Sequence, residues 1–532
     1  MTASRGALPF TSTVPRQRWM LVHACIVGAL FSLPAVFVGL RTLQLGGELS
    51  ATLQAALGPL WRTTLLATTV SVTAAVVGTV LAWLLVRTNV PGRSIWKVAV
   101  VLPLVLPSFV GAAAFLAALT NGGILHEALG LFGVAPPRFR GFWPSWFILS
   151  LFTYPYVFLP VVARLQALSP ALEDSARVLG RSAIETFRDV TLPQLKGAIT
   201  SGGLLVFLYT VSEFGAVQLL GYDTLTRVIF ASRLSDRPTS FTASLVLVVL
   251  AIVVVIGERS RRPTAANDEP VRTYPADPIR LGRWKAPALA IISFCVLFGI
   301  VVPVASLATW AWRGLVDGRV GFDGLVAASL NTAGAGVITA IAAVAVVLPL
   351  ATLLVRYRSR SSEAASIAVV GGFAVPGLVI ALSLVFWTLN APLVGRLYQS
   401  LPLLIAAYVI HFGSQALGAA EDSVRAVPSS LRESSQLLEP SRLRRAARID
   451  LPLMRPSLLS GGGLVLLSTL KELPATLLLA PTGFDTLATE VWGSYQDGFF
   501  AEVGVSGLIL VAVSTGLTWV LVLRRSDVIH PR

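Results

Sequence analysis

The chain has 532 residues, of which 55% are hydrophobic and 13% charged, with 42 lysines and arginines against 27 aspartates and glutamates. Soluble domains carry roughly 25% charged residues, so this composition excludes an ordinary soluble globular protein. The two cysteines, Cys25 and Cys295, both lie in apolar runs and the four histidines are scattered, which excludes a disulfide framework and leaves no metal-ligand spacing.

Runs of about 20 apolar residues can cross roughly 30 Å of hydrocarbon. Twelve such runs follow one another, at 19–40, 63–86, 98–119, 143–165, 198–220, 241–256, 286–310, 325–355, 364–389, 401–419, 457–480 and 501–523. The run at 241–256 is short and that at 325–355 is interrupted by glycines. The first follows Arg5, Arg16 and Arg18 but leads into "AVFVGLRTLQLGGEL", which has no small-residue cleavage site, so it reads as a retained span rather than a signal peptide.

With the N-terminus in the cytoplasm and the spans alternating, the cytoplasmic segments hold 31 lysines and arginines and the outer segments 10, with Lys471 inside a span. Positive charge marks the cytoplasmic side. The net charge of +15 is therefore an orientation signal and calls for no nucleic-acid partner.

The second half repeats the first. A shift of 269 places Pro34 on Pro303, Thr63 on Thr332, Arg87 on Arg356 and Pro107 on Pro376. Beyond the third span the shift is 259, placing Leu192-Pro193 on Leu451-Pro452 and Glu213 on Glu472. The ten missing residues fall in an outer loop, long at 120–142 and short at 390–400. Six spans per unit is an even number, so both copies cross in the same direction. The expected fold is an all-α polytopic membrane protein with about 12 transmembrane helices in two parallel six-helix repeats. The first repeat covers 1–256, a solvated linker 257–285, and the second repeat 286–532.

Between the fourth and fifth spans of each half lies a charged segment. In the first half Ser169 suits a helix N-cap, with Pro170 in the first turn. Leu172, Ala176 and Leu179 fall on one stripe, and Gly180 suits a turn at positive φ. A second short helix presents Ile184, Phe187 and Val190 on one face, and Leu192-Pro193 is expected to stop it before the next span. A helix resting on lipid headgroups accounts for the amphipathicity. It does not account for the equal spacing from acid to Leu-Pro in both halves, which a docking site for a two-fold partner does.

This spacing resembles the cytoplasmic motif of ABC importer permeases, the membrane components of binding-protein-dependent transport. The first copy reads Asp174-Ser175-Ala176, Gly180, Val190, Leu192-Pro193, and the second Glu433-Ser434-Ser435, Glu439, Ile449, Leu451-Pro452. Asp replaces Glu in the first, and Glu439 followed by Pro440 replaces the glycine in the second. A competing start at Glu421-Asp422-Ser423 stands 30 residues before its Leu-Pro instead of 19 and breaks the repeat register. The resemblance implies that these loops dock two copies of an ATPase, which hold ATP and magnesium, while this chain binds no cofactor and no metal. It also implies an external substrate-binding protein and a bacterial inner-membrane location with both termini cytoplasmic. The chain has no G-x-x-x-x-G-K-[ST] phosphate loop of its own.

Fused twelve-span permeases resemble the ferric-iron branch, with relatives for thiamine, phosphonate and polyamine, and "KELPATLLLAPTGFDTLATEVW" at 471–492 resembles the iron members most. An ion-gradient-driven secondary transporter is the alternative of a different class, and the repeated charged loop argues against it. Ionisable residues inside spans are costly and face a cavity or a partner. Glu213 and Lys471-Glu472, about fifteen residues into matching spans, therefore stand out. Lys471 pairing with Glu213 across the two halves and a polar pathway lining are both open readings.

Overall fold

The computed structural model describes residues 18–259 and 278–518, apart from 319, 393, 429, 432, 433 and 435–440. Among these residues nearly everything is helical, and the β pairing is limited to an isolated bridge between Thr88 and Ile279. Eleven helices are long and apolar enough to cross a bilayer. The count reaches twelve when Arg360–Ala374 and Gly377–Asn390, bent by 108°, form one broken span. The helix predicted at 241–256 is longer than its apolar run and extends over Arg237–Arg259. The glycines at 325–355 do not interrupt Phe322–Arg356, a single helix of 35 residues. A glycine lowers helix propensity by about 1 kcal/mol but removes no hydrogen bond. Here Gly336 also lets a neighbour in: a Cβ on it would stand 2.5 Å from Leu466 Cδ1.

Each half lends its first span to the other. Arg18–Leu43 packs on Arg360–Ala374, Phe322–Arg356 and Gly377–Asn390 of the second half, and the His23 ring is hydrogen-bonded to the Val346 carbonyl at 2.8 Å. Reciprocally, Val302–Val316 packs on Ser108–Leu119 of the first half. There Ser306 donates to the Ala114 carbonyl at 2.9 Å and Trp310 to that of Ala117 at 3.1 Å. Lipid tails are as apolar as leucine, so this exchange relies on close packing and hydrogen bonds rather than on hydrophobic burial. The remaining apolar faces point outward, as with Leu53, Trp61, Val72 and Val76 on Leu49–Arg87.

Two features depart from the sequence expectation. The Leu-Pro does not stop the short helix before it. Ala183–Thr186 runs through a π-turn at Phe187–Thr191 into Leu192–Ser212, and the second half repeats this with Arg442–Arg445, Ala446–Asp450 and Leu451–Leu470. Proline lacks an N–H and clashes with the carbonyl four residues back. One wider turn resolves both problems without ending the helix. The second departure is that the fifth span of each half is broken. Leu192–Ser212 gives way to the short helix Gly215–Leu219, and Leu451–Leu470 to Pro474–Leu479. The third spans break as well, at Pro107 after the 3-10 turn Leu102–Val105 and at Pro376.

Candidate functional site

The charged segment of the first half folds as an elbow with two arms. Ser169 Oγ accepts from the Ala171 N–H at 3.4 Å and opens the first arm, Pro170–Val178. Gly180, at φ +85°, turns the chain, and the Gly180 and Arg181 N–H groups close the arm on the carbonyls of Arg177 and Ala176. Ser182 and Glu185 cap each other's backbone and open the second arm. The expected apolar stripe is split. Ala176 is buried, whereas Leu172, Val178, Leu179 and Ile184 are 55%, 87%, 83% and 75% exposed. Asp174 and Ser175 are exposed as well, Val190 and Leu192 are half-buried, and Pro193 is exposed. The tip of the elbow thus presents large apolar side chains rimmed by charge, the composition of an interaction surface.

Residues that the motif does not contain hold this elbow to the second span. Arg87, at the last turn of Leu49–Arg87, is buried and lies 3.4 Å from Glu173 Oε1 through its Nε. Its Nη2 donates to the carbonyls of Leu165 and Leu168 at 3.0 and 3.3 Å. Thr191 donates to the same Glu173 oxygen at 3.0 Å. Trp83 and Phe187 meet edge-to-face with centroids 5.5 Å apart. The signal in the sequence was the match of Arg87 to Arg356, a buried-span arginine that needs a partner.

In the second half Glu433, Ser435 and Glu439 lie outside the described residues. Ser434 Oγ donates to the Ser430 carbonyl at 3.0 Å. Ile449 is half-buried in the π-turn, and Leu451 and Pro452 are exposed where the helix resumes. Arg356 donates to Val424 O at 3.3 Å, as Arg87 does to Leu165. Glu421 and Asp422 lie at the end of the span helix Leu401–Arg425, both paired with Arg425.

Glu213 and Glu472 sit at the two breaks of the fifth spans, not inside continuous helices. A break at membrane depth frees backbone N–H groups that need acceptors. Each carboxylate supplies one: Glu213 Oε1 accepts from Ala216 N at 2.9 Å, and Glu472 Oε1 from Ala475 N at 3.1 Å. The free carbonyls are met in parallel, Glu213 O by the Thr226 hydroxyl at 2.6 Å and Glu472 O by the Thr476 hydroxyl at 2.8 Å. The break of the third span meets that of the fifth in both halves. Ser108, directly after Pro107, donates to Glu213 Oε2 at 2.7 Å and accepts from Tyr209 at 3.1 Å. Gly377 stands at the equivalent place after Pro376, and a Cβ on it would lie 2.7 Å from Glu472 Oε1. The glycine therefore admits the second carboxylate against the backbone.

The four breaks gather at the boundary between the halves. Phe214 and Trp492 have ring centroids 5.6 Å apart, and Gly215 abuts Leu473. Lys471 does not pair with Glu213. Its ammonium donates to the Leu104 carbonyl at 2.8 Å, while Glu213 is taken by Ser108 and Ala216, and no ion pair joins the two among the described residues. The pairing reading is thus replaced by a bond to backbone. Irregular backbone at membrane depth occurs where it is buried in protein or lines a water-filled cavity. Among the described residues no cluster of His, Cys, Asp and Glu could hold a metal ion.

Comparison with known proteins matches this architecture. A family model described as "Binding-protein-dependent transport system inner membrane component" covers residues 74–258 and again 344–530. An Fe(3+)-transport system permease protein of Haemophilus influenzae is 30% identical over 508 residues, 93% of this chain and 96% of that protein. A ferric transport system permease protein of Actinobacillus pleuropneumoniae is 23% identical over 81% of this chain and 66% of its own length. A sulfate transport system permease protein of Salmonella typhimurium is 28% identical over 37% of this chain and 72% of its own. The twofold family match, one copy on each six-span half, is the duplication read from the sequence, and the chain belongs to the inner-membrane permease components of binding-protein-dependent ABC importers.

Proposed function

We propose that the chain is the permease of an ATP-driven importer of ferric iron in a bacterial inner membrane, with both termini cytoplasmic. One ATPase copy docks on the charged segment between the fourth and fifth spans of each half, ATP and magnesium are held by those copies, and an external binding protein delivers the ion. The observation that supports docking most directly is the elbow tip, where Val178, Leu179 and Ile184 stand exposed around the Gly180 turn. Large exposed apolar side chains on a loop rimmed by charge suit a protein cleft. The iron reading rests on the extent of similarity. The iron permease of Haemophilus influenzae matches almost the whole fused chain, whereas the sulfate permease of Salmonella typhimurium matches about a third of it.

In this reading the binding protein selects the ion, and the four-break region is the constriction through which it passes. Capped backbone with two carboxylates near the boundary between the halves offers a polar passage without a fixed coordination site. The test is uptake of labelled ferric iron by cells with and without the gene, beside labelled sulfate, thiamine, phosphonate and polyamine. Loss of iron uptake alone supports the assignment. Unchanged iron uptake in a strain with no second iron importer, with loss of another substrate, moves it to that substrate.

A further inference from the structure

In the first elbow the two arms are fastened by different means. The second arm runs without interruption into Leu192–Ser212, so it moves with the fifth span. Along the chain the first arm is joined to it by the turn at Gly180, a glycine in the left-handed conformation at φ +85°. Of residues 171–179 only Glu173 and Ala176 are buried. Ala176 offers a single methyl. The arm's polar anchor is therefore Glu173, held between Arg87 on the second span at 3.4 Å and Thr191 on the second arm at 3.0 Å.

We propose that the buried Arg87–Glu173–Thr191 cluster is the pin that makes the two arms and the second span one rigid body, so that displacement of the elbow tip reaches the membrane. Glu173 is the positioning residue, one place before the motif acid Asp174, which faces outward and is free to meet the partner. The onward connection is physical. The second span packs along Leu192–Ser212, and Ser71 donates to the Gly203 carbonyl. Leu192–Ser212 ends at the Glu213 break. An unpaired buried guanidinium is strongly unfavourable, so Arg87 holds the glutamate as firmly as the glutamate holds the arm.

The repeat register supplies a second argument. In the second half the position of Arg87 is Arg356, that of Glu173 is Arg432, and that of Thr191 is Asp450. The repeat thus keeps the span arginine and offers a carboxylate at the Thr191 position instead of the Glu173 position. If a pin needs only one acid near the arginine, an acid at position 191 should serve in place of Glu173.

This inference rests on the importer reading, and the experiment separates the two. The full chain, co-expressed with its ATPase and reconstituted with its binding protein, is assayed for labelled ferric iron taken up per ATP hydrolysed. Wild-type vesicles showing no ATP-dependent uptake would count against the importer reading itself. Given active wild type, Glu173→Ala should still assemble and hydrolyse ATP, with uptake per ATP reduced roughly tenfold, within the usual range of coupling between sites. Adding Thr191→Asp should restore most of it, since the acid then stands where Asp450 stands. A merely structural role would lower assembled complex in Glu173→Ala and leave its uptake per ATP unchanged, which overturns the proposal. So does a loss that Thr191→Asp fails to restore. If Glu173→Ala does not assemble, Glu173→Gln keeps the shape and the Thr191 bond but removes the charge, and an unchanged ratio in that variant is equally contrary.

Discussion

The ammonium of Lys471, in the second half, donates to the carbonyl oxygen of Leu104, in the first, at 2.8 Å. Leu104 lies in the 3-10 turn that precedes the third-span break, where the residue three places on is Pro107, which has no N–H to offer. A lysine from the other half satisfies that carbonyl. Ser212 occupies the matching position in the first half, so the tether has no mirror image.

Lys471→Met should leave the Leu104 carbonyl without its partner and lower stability by about 1–3 kcal/mol, the usual penalty for a buried group left unpaired. The effect should be nearly independent of Glu213. In a thermal-stability double-mutant cycle with Glu213→Gln, the interaction energy should stay within about 0.5 kcal/mol. Recovery of several kcal/mol in the double mutant, as for a repaired buried ion pair, would contradict the hydrogen-bond assignment.

The capping role of Glu213 predicts an order among substitutions. Glu213→Gln keeps an oxygen for the Ala216 N–H and should be mild, whereas Glu213→Leu removes it and should cost about 0.5–2 kcal/mol, as lost helix caps do. Ser108→Ala should resemble the milder variant in stability. Gly377→Ala should be worse than Ser108→Ala, because its Cβ would stand 2.7 Å from Glu472 Oε1. Thermal unfolding of the four purified variants checks the ranking, and equal stability of Glu213→Gln and Glu213→Leu would show that the cap is dispensable.

Gly180→Val tests the elbow. No atom lies within 4 Å of the position its Cβ would take, so the whole effect is backbone strain at φ +85°. A left-handed conformation costs an ordinary L-residue roughly 1–2 kcal/mol, and a β-branched one more. The variant should insert normally, co-purify with less ATPase and transport poorly. Gly180→Asn, which tolerates that conformation, should retain more of both. Equal behaviour of the two variants would mean that the turn is not held in the left-handed region.

The duplication was legible because two constant shifts carry marker residues such as Arg87 onto Arg356 and Glu213 onto Glu472. Gly180 was legible because a glycine between two amphipathic stripes has one evident use. The broken fifth spans were not. The run at 198–220 is long enough to read as one span, and Ser212-Glu213-Phe214 carries no proline to announce a break, although Pro474 stands at the break in the second half. Lys471 misled for a related reason, since its partner is a backbone carbonyl, which no sequence letter records. The Leu-Pro was read as a stop because proline usually ends a helix, whereas a π-turn absorbed it. Glu173 is not marked by the motif, whose acid is Asp174, and only the fold brings Arg87 beside it.

In the proposed mechanism, ATP hydrolysed by partners docked on the charged segment of each half drives import through this chain. The most direct measurement purifies the chain with its ATPase, counts ATPase copies per chain, and follows labelled ferric iron uptake into vesicles supplied with binding protein. Two ATPase copies per chain are expected, with uptake that requires ATP, persists when ionophores collapse all ion gradients, and fails in Gly180→Val. Uptake that runs on an ion gradient without ATP, by a chain that retains no ATPase, would contradict it.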